Sequence, residues 1–311
     1  MAHRTITIGT RGSQLALWQA NWAKDAINRS HPDIPVELAI IKTKGDKILD
    51  VPLAKVGGKG LFVKEIEQAL LDGRIDLAVH SMKDMPAEIP EGLCIGAIPR
   101  RGEPRDALIT RSGQLLDDLP LGARVGTSSL RRGAQLLHRR SDLTIVSLRG
   151  SLETRLKKLE TEGLDAIVLA AAGIRRMGLT DRITQVLDES VMLPAVGQGA
   201  LCVESRVADD TVAPLLAPMD DGPTRAVVLG ERAFLNRLEG GCQVPIAGHG
   251  HLDGGSFLLT GLVCDVDGTQ MVKATRSGPA DQSEAIGREL AERLLDEGAA
   301  RILERLYQHA D

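Results

Sequence analysis

Residues 124–170, RVGTSSLRRGAQLLHRRSDLTIVSLRGSLETRLKKLETEGLDAIVLA, read as strand, helix, strand, helix, strand. Leu143–Leu148 and Ala166–Ala170 are short apolar, β-branched runs, and Arg124–Gly126 ends another. Between them, Leu130–His138 and Leu152–Glu160 carry apolar residues at helical spacing. Such alternation predicts a parallel sheet flanked by helices. The region is also basic: from Arg124 to Arg176, eleven Lys/Arg stand against five Asp/Glu.

Each of these strands delivers arginines at its C-terminal end. The first runs through Thr127-Ser128-Ser129 into a helix that begins with Arg131 and Arg132. The second ends in Ser147-Leu148-Arg149-Gly150, with Arg155 one helical turn further on. The third leads through a short helix around Ile174–Met177, which carries Arg175 and Arg176. Helix starts offer free backbone N–H groups to anions, and arginine adds paired donors. In open α/β sheets these strand ends share one crevice. Any one of these arginines reads equally well as a solvated surface charge; together they argue for one anionic ligand.

Working outward, the first hundred residues repeat the alternation. Thr5–Gly9, Val36–Lys42, Leu77–His80 and Leu93–Ile98 read as strands; Ser13 to about Asn28 and Gly60–Leu71 read as helices, with Ser13 as N-cap. Arg11 and Ser13 lie at a strand-to-helix turn. Lys55-Val-Gly-Gly-Lys59-Gly60 lacks the P-loop order and reads as a mobile flap, and Phe62 beside it either closes over a ligand or packs in the core. His80-Ser-Met-Lys83-Asp84 places a carboxylate next to a lysine at a strand end. A lone Asp there is usually a turn former; facing arginines, Asp84 is the candidate to stabilise a developing cation or move a proton. His80 is either an acid–base group or an ordinary satisfied histidine.

Val191–Gln198, with Pro194 and Gly197, reads as a crossing linker, and Ala200–Glu204 as a strand returning to the first sheet. After Pro223 the pattern becomes a helix (Thr224–Leu238), three antiparallel strands (Ile246–Leu252, Phe257–Cys264, Met271–Thr275) and a closing amphipathic helix (Asp281–His309). The expected fold class is α/β: two similar doubly wound α/β domains forming a cleft, plus a small α+β C-terminal domain. The expected divisions are 1–99 with 200–217, 104–194, and 222–311. No internal sequence repeat is visible.

Composition narrows the function. Aromatics are only 2% of 311 residues, so the cores rest on Leu, Ile, Val and Ala, and a base-stacking nucleic-acid surface is not expected. Net charge is −4, which argues against a general polyanion binder. Cys94, Cys202, Cys242 and Cys264 form no CxxC pair, so no metal is expected. No 18-residue apolar run suggests a membrane span. The opening MAHRTITIG lacks an apolar signal core, so the expected location is cytoplasmic. Three of the thiols lie in apolar strands. Cys242, in Glu239-Gly-Gly-Cys-Gln-Val-Pro245, alone lies on a Gly-rich loop, where a reactive or derivatised thiol would be found.

TRGSQLAL (10–17), KVGGKGLF (55–62), HSMKDMP (80–86), VGTSSLRR (125–132), SLRG (147–150), LPAVGQGA (193–200) and LEGGCQVP (238–245) together resemble the porphobilinogen deaminase family over nearly the whole chain. The resemblance implies a transferase that joins four porphobilinogen molecules head-to-tail into hydroxymethylbilane. It implies a dipyrromethane cofactor on Cys242 through a thioether, and Asp84 as the catalytic aspartate. Arg11, Ser13, Lys83, Ser129, Arg131, Arg132, Arg149, Arg155 and Arg176 match positions that hold acetate and propionate carboxylates. It further implies a monomer that needs no metal, with product passing to the next pathway enzyme. One departure is Ser151, where the family usually has Asn; Ser still caps the helix at Leu152. Two rival readings are a two-lobed solute-binding or ligand-sensing domain, which needs neither Cys242 nor Asp84, and a phosphate-dependent enzyme using the Lys55–Gly60 loop.

Overall fold

Ile6–Thr10 (β1), Val36–Ile40 (β2) and Leu77–Ser81 (β3) run parallel, in the order β2-β1-β3. The computed structural model that places them describes residues 4–47, 60–239 and 244–308. By its internal contacts the chain divides into two compact units. The first comprises described residues up to 47, with 60–102 and 200–225; the second comprises the rest.

In the first unit, Leu201–Arg206 (β10) pairs antiparallel with β3 and with Leu93–Ala97 (β4), completing the order β2-β1-β3-β10-β4. Period-two alternation sends Leu77 and Val79 to one face, against Ala20, Ala23 and Ile27 of the helix Gln14–Ser30 (α1). Ala78 goes to the other, against Ile66, Ala69 and Leu70 of Lys64–Leu71 (α2). Ser13 caps α1 as expected: its Oγ accepts the Ala16 N–H at 3.3 Å.

The second unit holds two sheets. In one, Arg124–Gly126 (β6), Thr144–Val146 (β7) and Ala166–Ala170 (β8) are parallel, and Asp106–Thr110 (β5) and Gln185–Val186 (β9) complete the order β7-β6-β8-β5-β9. Here too both faces are covered. Leu108, Val125 and Val168 meet Leu136 of Leu130–Arg139 (α3), while Ile109, Ile167 and Leu169 meet Leu156 and Leu159 of Leu152–Thr161 (α4). A short helix, Ala171–Arg176 (α5), follows β8.

The two five-stranded sheets share one topology, although the sequence carries no repeat. Each is mixed rather than purely parallel. β5 and β10 are the first strands after the chain passes from one unit to the other, and both enter antiparallel. The expectation of parallel sheets is corrected at these strands: helix-and-strand periodicity reports alternation, not the direction in which a returning strand enters.

The third sheet is the antiparallel meander Ile246–Asp253 (β11), Ser256–Cys264 (β12) and Met271–Pro279 (β13). Phe257 and Leu259 of this sheet pack with Phe234 of Gly222–Arg237 (α6) and with Ile286, Leu290 and Leu294 of Ser283–Leu294 (α7). The single closing helix expected over 281–309 is broken. A wide turn at Leu295–Ala299, where Gly298 takes φ 115°, separates α7 from Ala300–Gln308 (α8). A left-handed backbone suits glycine and interrupts the helical ladder.

The crossing linker is held bond by bond within the second unit. Leu193 exchanges hydrogen bonds with the Gln135 side-chain amide at 2.8 and 3.1 Å, and the Pro194 carbonyl accepts the Gly248 N–H at 3.1 Å. The fully buried Glu231 carboxylate accepts Gly197 N–H at 2.7 Å and Gly250 N–H at 2.8 Å. Glu231→Ala leaves both donors buried without this acceptor and is expected to cost about 2–3 kcal/mol. Urea unfolding of the variant against the parent checks this.

Candidate active site

Because β7, β6 and β8 are adjacent and parallel, their C-terminal ends lie along one edge of the sheet. α3 and α4 both start there. Ser129 caps α3 by accepting the Arg132 N–H at 3.4 Å, and Ser151 caps α4 by accepting the Thr154 N–H at 3.3 Å. Ser151 therefore performs the capping expected of it. Between the caps, Ser128 Oγ donates to the Leu148 carbonyl at 2.8 Å and locks the two turns together.

The arginines at this edge are not loose surface charges. Arg131 and Arg132 are about 5% exposed and converge on Asp106, which is fully buried. Arg131 NH1 reaches Asp106 Oδ2 at 2.8 Å and the Leu193 carbonyl at 2.7 Å; Arg132 Nε reaches Asp106 Oδ1 at 2.9 Å. Gln198 Nε2 adds a third donor to Asp106 at 3.0 Å. Burial alone would raise the Asp106 carboxyl, but the two guanidinium groups outweigh it and hold it well below the usual carboxylate range.

The remaining arginines differ in their setting. Arg149 and Arg155 are half-buried, and Arg155 Nε donates to the Gly150 carbonyl at 2.9 Å. Arg176 donates to the Gly199 carbonyl at 2.7 Å, and burial lowers its guanidinium to about 10, still charged at neutral pH.

In the first unit, the ends of β1, β2 and β3 likewise share an edge. Arg11 follows β1, Nε-bonded to Asp46 at 3.0 Å, with its guanidinium 4.3 Å from the Phe62 ring centroid. Phe62 is thus a stacking partner for Arg11. Asp46 also accepts the Thr43 N–H at 3.1 Å and the Thr43 hydroxyl at 2.8 Å. Burial pushes its carboxyl up, but Arg11 and Thr43 overcome this and lower it.

After β3, a 3₁₀ turn at Met82–Asp84 presents Lys83, half-buried, and Asp84, exposed. The turn is anchored beneath by the buried Met82 and Met85 and by Met82 N–H to the Ala200 carbonyl at 3.0 Å. Gln19 Nε2 donates to Ser81 Oγ at 2.9 Å beside it. His80 is buried, and its Nε2 is 3.1 Å from Glu204 Oε2, so it is a satisfied histidine rather than a free acid–base group. Cys202 and Cys264 are buried and Cys94 is half-buried; burial pushes the Cys264 thiol up to about 12. Cys242, Lys55 and Lys59 lie outside the described residues.

Sequence reasoning missed Asp46, Asp106 and Gln198. The available signal for Asp106 was one carboxylate opening an otherwise apolar strand, DALIT.

Family models match most of the chain: "Porphobilinogen deaminase, dipyromethane cofactor binding domain" over residues 6–214, and "Porphobilinogen deaminase, C-terminal domain" over residues 226–296. The chain belongs to the porphobilinogen deaminase family. It is 57% identical to the porphobilinogen deaminase of Syntrophotalea carbinolica, over 98% of this chain and 97% of that protein. It is 55% identical to that of Pelobacter propionicus, over 99% of each. Among solved structures it is similar to a nutrient binding protein from Burkholderia cenocepacia bound to methionine, at 12% identity and a TM-score of 0.42, covering 68% of this chain and 90% of that one. The first porphobilinogen deaminase match contains Asp84 and every arginine described above; the second contains position 242. No described helix is long and apolar enough to cross a membrane, and the described residues contain no His/Cys/Asp/Glu group suited to a metal.

Proposed function

We propose that this chain deaminates porphobilinogen and condenses four molecules of it head-to-tail on a covalently held dipyrromethane primer, releasing hydroxymethylbilane for tetrapyrrole and haem synthesis. The observation that carries this reading is the convergence of Arg131, Arg132, Arg149 and Arg155 with two capped helix starts at one sheet edge. Each pyrrole unit brings two carboxylates, so a growing chain accumulates negative charge that arginine, always protonated, can hold bidentately. The donor set suits the primer: among the described residues Arg131 bonds Asp106 and the Leu193 carbonyl through NH1, which leaves its Nε and NH2 edge for a carboxylate.

In this reading Ser13, Ser129, Arg11, Lys83, Arg131, Arg132, Arg149, Arg155 and Arg176 orient the carboxylates of primer and substrate. The primer supplies a nucleophilic free α-carbon. Loss of ammonia from porphobilinogen leaves a cationic azafulvene, and Asp84 stabilises that cation electrostatically and accepts the proton released on coupling. Phe62, stacked on Arg11, helps to hold that guanidinium in place. The domains divide as 1–99 with 200–217, 104–194, and 222–311, the first two flanking a shared cleft. The protein works in the cytoplasm as a monomer and hands its product to the next enzyme.

Intact-protein mass spectrometry tests this. The expected mass exceeds that of the chain by two pyrrole units, with peptide mapping placing the adduct on Cys242. An active enzyme of unmodified mass would overturn the assignment.

A further inference from the structure

Behind the strand that leads into the Met82–Asp84 turn lies a buried group of ionisable side chains that the reaction scheme does not use. Ala78 and His80 point to the α2 face of the first sheet. Glu204 lies opposite Ala78 and Cys202 opposite His80 in the β3–β10 register, so they share that face. From α2, Glu67 enters the same layer. Glu67 and His80 are 5% exposed and Glu204 is 0% exposed. His80 Nε2 lies 3.1 Å from Glu204 Oε2, whereas Glu67 Oε1 and Glu204 Oε1 are buried with no hydrogen-bond partner among the described residues.

β1, β3, β4 and β10 pack most closely against α2, and β2 reaches the same layer through Ala39, with the exposed Glu37 on that face. β1 brings no charge. Arg206 of β10 turns away to Asp76 and Asp209, and Cys94 of β4 bonds Ser205 and the Arg206 carbonyl. That leaves Lys64, on α2 itself, and the imidazole as the cations acting on Glu67. Even with His80 positive, two ionised carboxylates would leave this apolar layer with an uncompensated negative charge, which burial opposes. A proton on Glu67 removes it.

We propose that Glu67, buried beside the His80–Glu204 pair behind the catalytic turn, sets the pH dependence of turnover through its charge and the field this exerts at Asp84. Glu67 is a positioning residue here, and the argument rests on the reading of Asp84 given above. Burial first, then the Glu204 carboxylate, raise its carboxyl to about 7. Four residues of chain keep His80 within about 14 Å of Asp84. One unit charge at that range in a protein is worth about one pH unit of titration, or about a tenfold change in rate, which serves as the ceiling for a charge on Glu67 in the layer shared with His80. Ionising Glu67 adds negative charge on the side of the cationic intermediate, so the rate rises with pH.

The test is the kcat–pH profile of the holoenzyme and of Glu67→Gln between pH 5.5 and 9. The wild type is expected to carry a rising limb of up to about tenfold centred near pH 7. Glu67→Gln is expected to lose that limb and remain at the low-pH rate while retaining its adduct. A limb that persists in the variant would overturn the proposal. Should Glu67→Gln fail to fold, carboxyl ¹³C titration of the wild-type holoenzyme decides: a Glu67 midpoint near the ordinary 4.5 rather than near 7 also overturns it. Asp84→Asn separates the two ideas. An inactive Asp84→Asn with an unchanged Glu67→Gln profile defeats only the role of Glu67, whereas an active Asp84→Asn defeats the role of Asp84 itself.

Discussion

Asp84→Asn is expected to keep the fold and the covalent adduct yet lower turnover by about two to three orders of magnitude. The structure separates the two effects. Asp84 is exposed at the end of the 3₁₀ turn, and no hydrogen bond or ion pair holds its carboxylate among the described residues. The turn keeps its shape through Met82, Met85 and the Ala200 carbonyl instead. An isosteric amide therefore leaves no buried partner unsatisfied, and stability should stay within about 0.5 kcal/mol. What disappears is the negative charge. Single-turnover ammonia release, measured beside the melting temperature and intact mass, checks this. A rate near that of the parent would remove Asp84 from the mechanism.

Asp106→Asn is expected to act in the opposite way, through stability first, costing about 3–5 kcal/mol. Asp106 is fully buried and takes Arg131, Arg132 and Gln198 at once. An amide in its place leaves two nearly buried guanidinium groups facing each other with no counter-charge. The acid stability of the parent follows from the same pair. Because the folded carboxyl is held below its unfolded value of 3.8, its contribution is present above that pH and is lost only as pH falls through the depressed folded value. Chemical denaturation at pH 7 measures the loss. A midpoint within surface-substitution range would mean that Arg131 and Arg132 find other partners. In the proposed function, the same bonds would present these arginines to a carboxylate already oriented, since NH1 of Arg131 and Nε of Arg132 are fixed by Asp106.

Local patterns were legible from the chain alone. Ser13, Ser129 and Ser151 each precede a helical run and each caps it, because a hydroxyl at that position satisfies a nearby free N–H wherever the helix is placed. β8 matches its apolar run at both ends, and β10 returns to the first sheet as expected. The closing helix was misread as one piece. Gly298 inside an amphipathic pattern does not announce whether it will be tolerated or will break the ladder.

The site divides along the same line. Short-range order in the chain determined which residues stand at strand ends and helix starts: the arginines of 131–155, Lys83 with Asp84, and Arg11 with Ser13. Only the tertiary structure decided what faces them: Asp106 against Arg131 and Arg132, Asp46 and Phe62 against Arg11, Glu204 against His80. These partners are 25 to 124 residues apart in sequence. Spacing along a strand or helix carries no information across that distance, and only sheet order brings such carboxylates and cations into the same dry layer.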